Sequence, residues 1–495
     1  MPYININNFH KGLSSSPYTT DGAFSKSQNL DVFSQLGIAR ISYLPVGYST
    51  NLEGLPISFA HNSDQKYFLY FADDQENVYR INTNSGAISK IGDGKGNNIE
   101  FFNNRIYAVK RDTISYYDFD AESWSNLGET FSSLSTKDNH FMFVSRNDGK
   151  LYICGSYSSG FGIASLTTGG SWTQMAFTLP KEYKPISMTE MGEYLIISAK
   201  KIKTTAERGV PETVYFFWDR SSSTADRIIS VPEKDMTTFI KRGDTIYVTG
   251  GEEGNVYRLT ESGFQFYAQI PFDYGNKKIK IGKISDTDGN NSFESGTWWR
   301  GRILIGVSSE DGLAPAGIYG LKDRQLVHEF NPSHGEDGLS SDVYIGGMTV
   351  AINGNLYYGW KKVGTSTTYG IDEVSPENNR VPDYNAYLET QLYRVGTQRA
   401  LAHFGDIDIQ LARPLRSGEG VRLKYRLSIG DSWTTIKTRD GKDFTYSNYG
   451  GLTSFQMPFN IKNVQNIQFR VELTTGSSST NTPYLYDITI PYYYG

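Results

Sequence analysis

The side chains able to do acid–base, nucleophilic or metal chemistry are few and scattered. The six histidines are His10, His61, His140, His328, His334 and His403. No two stand three or four residues apart, the spacing that puts a metal-binding pair on one helix face. His328 and His334 are six apart, across a turn. Each histidine reads as a surface or core residue. The single cysteine, Cys154, lies mid-strand in Leu151-Tyr152-Ile153-Cys154-Gly155 and reads as a buried apolar residue. One cysteine allows no intrachain disulfide, which excludes a disulfide-stapled scaffold. Asp286-Thr287-Asp288-Gly289-Asn290-Asn291-Ser292 sets oxygen donors at alternate positions, as a calcium loop does. A helical calcium loop needs Gly at its sixth position and Glu at its twelfth. Asn291 and Thr297 stand there, so the segment reads as a polar turn. No phosphate-binding glycine loop follows a strand and opens a helix, and no Gly-x-Ser-x-Gly elbow occurs. Tyr157–Gly162 reads as a flexible loop. Paired carboxylates for glycoside hydrolysis would be distant in sequence, so sequence spacing does not reveal them. The acidic turns Asp73-Asp74-Gln75-Glu76 and Glu252-Glu253 read as solvated hairpin tips. No catalytic, cofactor-binding or metal-binding residue is assigned, no cofactor is implied, and the protein is expected not to be an enzyme.

The elements that would carry any site are strands. Alternation dominates, as in Thr245-Ile246-Tyr247-Val248 and Val421-Arg422-Leu423-Lys424-Tyr425, and no apolar helical period lasts three turns. Short helical pieces are expected only near Asp31–Gln35 and Lys200–Glu207. A turn-type cluster followed by an apolar, usually Tyr-containing strand recurs along the first three quarters. Taking Phe68, Ile106, Leu151, Leu195, Ile246, Ile303 and Leu356 as anchors, the mean spacing is 48 residues. A period of roughly 40–50 residues with several strands in each is the mark of a β-propeller. Seven anchors predict seven blades, and an early strand, residues 3–8 or 38–44, would complete the last blade. The competing reading is a run of β-sandwiches. After Pro382 the strands lengthen: Tyr387–Tyr393, Phe404–Leu411, Val421–Leu427, Ser454–Pro458, Asn466–Leu473 and Tyr484–Pro491. The expected organisation is an N-terminal strand and arm (1–52) that would close the propeller ring, a propeller (53–383) and a C-terminal β-sandwich (384–495). Asn378–Asp383 would be the linker.

Composition limits the partners. The chain has 495 residues, 48 Lys+Arg against 53 Asp+Glu and a net charge of −5, which argues against a dedicated nucleic-acid binder. Residues 384–495 hold 12 basic and 9 acidic side chains, a mild excess that reads as solvated surface. Charged residues are 20% and aromatics 14%, unlike a disordered chain. Apolar runs are strand-sized, as in Tyr194-Leu195-Ile196-Ile197, far short of the ~20 residues of a membrane-spanning helix. The N-terminus lacks the pattern of a secretory signal, so a soluble protein made in a cytoplasm is expected.

Three turns are similar to the Asp-box turns of sialidase-like propellers: Ser145–Gly149, Thr167–Trp172 and Thr438–Phe444. None has the full Ser-x-Asp-x-Gly-x-x-Trp spacing, and such turns staple hairpins. The opening segment reads Asn7-Asn8-Phe9-His10-Lys11-Gly12-Leu13, then Asp21-Gly22-Ala23-Phe24, Asn29-Leu30-Asp31-Val32-Phe33 and Gly37-Ile38-Ala39-Arg40. It resembles the start of structural proteins of tailed bacteriophages. The architecture and the ending Pro483-Tyr484-Leu485-Tyr486-Asp487-Ile488 resemble tail nozzle β-propeller proteins of short-tailed phages. That resemblance implies a virion structural protein of the tail, synthesised in the host cytoplasm. It would form a homo-oligomeric ring, a hexamer for a nozzle, and contact phage adaptor and other tail proteins. DNA would pass through the assembly without sequence-specific binding during genome ejection, and the residues 13–28 arm would tether a neighbouring subunit. The alternative readings are a host-surface glycan-binding propeller, suggested by Trp298-Trp299 and Tyr492-Tyr493-Tyr494, and a propeller glycosidase or lyase.

Overall fold

The computed structural model describes residues 2–7, 9, 12–13, 23–49, 52–62, 64–110, 113–130, 140–157, 160–201, 212–260, 262–271, 279–283, 292–309, 316–333, 342–397, 399–475 and 480–495. Strands dominate them, and the one helix among the described residues is the single turn Tyr446–Tyr449. No helix among them is long and apolar enough to cross a membrane. The chain divides into two compact units. One comprises Met1–Val46, Gly317–Asp337 and Val374–Gly495; the other comprises Gly47–Ala316 and Gly338–Glu373.

Five four-stranded antiparallel sheets succeed one another along the chain, covering residues 56–92, 98–130, 142–178, 183–231 and 238–269. A nine-stranded sheet holds two further groups of four, 296–330 and 342–374, the latter completed by the strand Val46–Ser49. These seven groups make an all-β propeller. Each anchor from Phe68 to Leu356 falls in the second strand of successive groups. The strand that completes the seventh group is neither of the two expected. Residues 3–5 pair instead with the strand Leu485–Tyr494, and Arg40–Ile41 pairs with Leu30–Asp31. Val46–Ser49 is the early strand nearest in sequence to the first blade, so closure there needs only a short connection.

Burial explains the apolar runs. Leu69 and Phe71 pack with Tyr357 and Ile371 of the seventh group, while Tyr70 and Ala72, on the opposite face, pack with Ile106 and Ala108 of the second. Likewise Leu195 and Ile197 join Tyr152 and Trp218, whereas Ile196 joins Phe239 and Val248. A strand covered on both faces reads as a continuous apolar run rather than an alternating one. Where the seventh group meets the first, Gly346, Gly347 and Gly359 lie so close that a Cβ on any of them would collide with the carbonyl oxygens of Pro56 or Ile57.

The other unit encloses one core between two sheets, a β-sandwich. One sheet runs Tyr3–Asn5, Leu485–Tyr494, Ile407–Leu411, Ser454–Met457; the other runs Phe24–Gln28, Ala386–Thr390, Asn466–Thr474, Gly420–Arg426, Thr434–Ile436. Ile4, Phe24, Leu388, Leu423, Val471 and Ile488 meet in its core. The sandwich therefore draws strands from both ends of the chain. Asn378–Asp383 is not a free linker. Val381 is buried, the Arg380 guanidinium sits 3.8 Å from the Tyr43 ring centre, and it donates to the Ile41 carbonyl at 2.9 Å. Residues 31–35 form no helix: Asp31 accepts the amides of Phe33 and Ser34, at 3.1 and 2.9 Å, and pairs with Arg40 at 2.7 Å. That is the geometry of a helix start, but Gly37 follows with φ 74°, a left-handed conformation that stops any helix after a single turn. Lys200 and Lys201 end the strand Tyr194–Lys201, and 202–207 lie outside the described residues.

Candidate functional site

The first strands of the propeller sheets surround a cavity of about 500 Å³. They are stitched to one another by small polar side chains. The Ser58 hydroxyl donates to the Ile99 carbonyl at 3.2 Å and accepts the Ile99 amide at 3.0 Å. Asn98 accepts the Met142 amide, and Thr238 accepts the Ser295 amide at 3.0 Å. Ser295 in turn donates to the Gly346 carbonyl at 2.8 Å. These bonds satisfy buried backbone groups that a sheet edge would leave open.

Two carboxylic acids share this cavity. Glu100 lies in the strand Asn98–Phe102, and Glu294 stands two residues before the strand Gly296–Trp299. Glu100 accepts a hydrogen bond from the adjacent Phe101 amide at 3.1 Å. Glu294 accepts the Ser187 hydroxyl at 3.2 Å. Both keep some surface open to the cavity while protein surrounds them, so solvation of the charged form is poor. Burial pushes Glu100 up to about 7, offset only by its backbone hydrogen bond. Burial pushes Glu294 up to about 8 against the opposing hydrogen bonds from Ser187 and the Phe239 backbone, and repulsion from Glu100 adds a smaller rise. Phe59, Phe141, Met142, Trp298 and Met348 supply apolar wall. The stem of Lys241 also lines the cavity, but its ammonium donates to the Glu190 carbonyl at 3.0 Å. Sequence spacing does not single out this pair of acids. Nothing local marks it, because the two residues come from the second and sixth groups.

A second kind of buried acid, Glu190, is held differently. It accepts the Ser145 hydroxyl at 3.0 Å and pairs with Arg220 at 3.2 Å, both charged side chains being almost fully buried. This is a structural bracket between neighbouring sheets. Strand Gly420–Arg426 and its neighbours carry a charged ladder on the sandwich. Lys424 pairs with Glu472 at 2.7 Å and Arg422 with Asp443 at 3.1 Å, while Arg470 lies 3.6 Å from the Tyr387 ring centre and Arg422 3.7 Å from that of Tyr384. The mild basic excess of 384–495 thus includes cations already engaged by acids and rings.

The chemically capable residues of the sequence are dispersed. His140 is buried with its ring 2.8 Å from the Cys154 carbonyl. His328 is fully buried against Tyr319, and His403 stacks on Tyr493. His61 is exposed at the end of the strand Pro56–His61. His10 and His334 lie outside the described residues, as do 286–291 and 14–22. Among the described residues no group of three or more His, Cys, Asp or Glu could hold a metal ion. Cys154 is buried, and burial pushes its thiol well above the usual range. Two of the Asp-box-like segments are hairpin tips, with Gly149 donating to Ser145 and Gly170 to Thr167; the third, where Gly441 donates to Thr438, is a turn between two strands that both pair with Gly420–Arg426. Trp299 is buried and donates to the Gly354 carbonyl at 2.9 Å, and Trp298 carries the Arg242 guanidinium 4.4 Å from its ring centre. Tyr493 and Tyr494 are exposed, 45% and 55%.

No family model matches the chain. No curated protein matches it either. Among solved structures, that of U3-55K is similar at a TM-score of 0.45 and 10% sequence identity, over 67% of this chain and 98% of that one.

Proposed function

We propose that this protein is a non-enzymatic structural subunit of a phage tail, a nozzle or another tail component, that forms part of the DNA-ejection conduit in the virion. It associates with copies of itself in a ring and with adaptor or other tail proteins, and DNA passes the assembly without sequence-specific contacts. The reading starts from the resemblance of the opening segment and of the propeller-plus-sandwich order. The observation that carries it is the set of exposed tyrosines on the terminal strands of the sandwich. Tyr3 is 62% exposed, Tyr486 52%, and Tyr493 and Tyr494 45% and 55%. Tyr3 pairs with Pro491 across the two terminal strands, so the two ends of the chain share this sheet. Exposed tyrosines concentrate at protein–protein interfaces because they bury large area at low entropic cost. A net charge of −5 suits a surface along which a duplex slides, since basic contacts would bind it.

The test is the solution mass of the full chain by light scattering after gel filtration, with negative-stain imaging of the same fraction. A ring of several copies, weakened by Tyr493→Ser with Tyr494→Ser, is the expected result. A monomer at every concentration that binds immobilised glycans would replace this reading with the host-recognition one.

A further inference from the structure

We propose that the central cavity of the propeller is a binding site for an organic cation, a primary ammonium or a guanidinium group held between the carboxylates of Glu100 and Glu294. The inference is independent of the tail reading.

The cavity brings together two acids that sequence keeps far apart. Glu100 accepts one hydrogen bond, from its own neighbour's amide, and Glu294 accepts the Ser187 hydroxyl. The one ammonium-bearing residue of the wall among the described residues, Lys241, directs its charge away to the Glu190 carbonyl. Two like groups facing one poorly solvated space repel when ionised, and a cation placed between them relieves both the repulsion and the desolvation. An anion would be repelled. A neutral polyol would leave the charges unpaired.

The wall also selects the kind of cation. Phe59 and Trp298 border the cavity, and aromatic faces attract ammonium and guanidinium groups. Trp298 already shows this behaviour, with the Arg242 guanidinium 4.4 Å from its ring centre. The volume of about 500 Å³ falls among small-molecule pockets rather than ion sites. A bare metal ion would fill little of it, and the described residues offer no cluster of three ligating side chains. The ligand's hydrocarbon stem would lie against Met142, Phe141 and Met348.

Calorimetric titration of the full-length protein tests this, with agmatine and cadaverine as cations, calcium chloride as a bare metal and mannitol as a neutral polyol. One agmatine or cadaverine should bind per chain at pH 8.5. Affinity should fall by about tenfold or more at pH 6, because protons compete for carboxyls whose ordinary value is raised by burial. Glu100→Gln should weaken binding at pH 8.5 by about tenfold or more through loss of one charge partner. If that variant does not fold, the pH dependence of the unaltered protein decides the same question. An acetylated, amidated Gly-Arg-Gly peptide distinguishes a free cation from a partner's side chain. If the peptide binds, the natural occupant is a side chain; if only the free amines bind, it is a small molecule. The proposal is overturned by no saturable binding of either amine, by equal binding of mannitol, by binding of calcium alone, or by an affinity indifferent to pH.

Discussion

Replacing Glu294 by glutamine should make the propeller more stable at alkaline pH. The folded protein holds the Glu294 carboxyl at about 8, against an ordinary 4.5, because burial outweighs the opposing hydrogen bonds from Ser187 and the Phe239 backbone, with a smaller push from Glu100. Between those values the folded state keeps a proton that the unfolded chain has released. The unfolded state then binds fewer protons, so stability declines as pH rises from about 4.5 and levels off above about 8. At about 1.4 kcal/mol for each pH unit, the interval gives an upper limit of about 5 kcal/mol. Glu294 keeps part of its surface open, and that exposure screens the charge, which brings the expected value to roughly 2–3 kcal/mol. The glutamine of the Glu294→Gln variant is neutral throughout, and its amide oxygen still accepts the Ser187 hydroxyl. Urea denaturation followed by tryptophan fluorescence, run on both proteins from pH 4.5 to pH 9, reads the difference, because groups not coupled to Glu294 cancel and the relief of Glu100 in the variant acts in the same direction. The variant should match the unaltered protein at pH 4.5 and exceed it by roughly 2–3 kcal/mol at pH 9. A difference that stays flat across this range would refute the reasoning, since it would mean that Glu294 is ionised in the fold at no cost.

Three other outcomes follow from the packing. Arg220→Ala strips Glu190 of its buried partner and should cost about 3–5 kcal/mol, much of it recovered by adding Glu190→Gln; equal losses in the single and double variants would contradict this. Tyr48→Ala removes the ring that stacks on Tyr357 and covers Gly86 at the closing strand, and should cost about 1–3 kcal/mol in thermal or urea unfolding. A loss no larger than that of an exposed surface substitution would mean that Val46–Ser49 adds little to closure. Cys154 should resist a thiol reagent in the folded protein and react fully in denaturant, because its thiol is buried and pushed upward. Rapid labelling under native conditions would count against a core position.

The repeat was legible because burial imposes it on every blade in the same way. Each second strand must be apolar on both faces, so Phe68, Ile106, Leu151, Leu195, Ile246, Ile303 and Leu356 recur at a readable period. The sandwich strands were legible from alternation, as in Val421-Arg422-Leu423-Lys424, where Val421 and Leu423 enter the core and Arg422 and Lys424 the charged ladder. Those local signals belong to each strand by itself. Which strand pairs with which is another matter. Residues 3–5, 40–41 and 46–49 are all short and extended, and nothing in their composition says that the first joins the sandwich while the last completes the seventh blade. Arg380 and Val381 read as linker because the residues that cover Arg380, Ile41 and Tyr43, are more than three hundred positions away. The cavity acids were hidden for the same reason. Glu100 and Glu294 look like ordinary strand carboxylates in sequence, and only ring closure puts them in one poorly solvated space. The sequence by itself determined the strands, their period and the fold class, because periodicity and burial act over a few residues. Closure, the sharing of chain ends and the pairing of the two acids were decided by the tertiary structure, because desolvation and charge repulsion depend on distance in space.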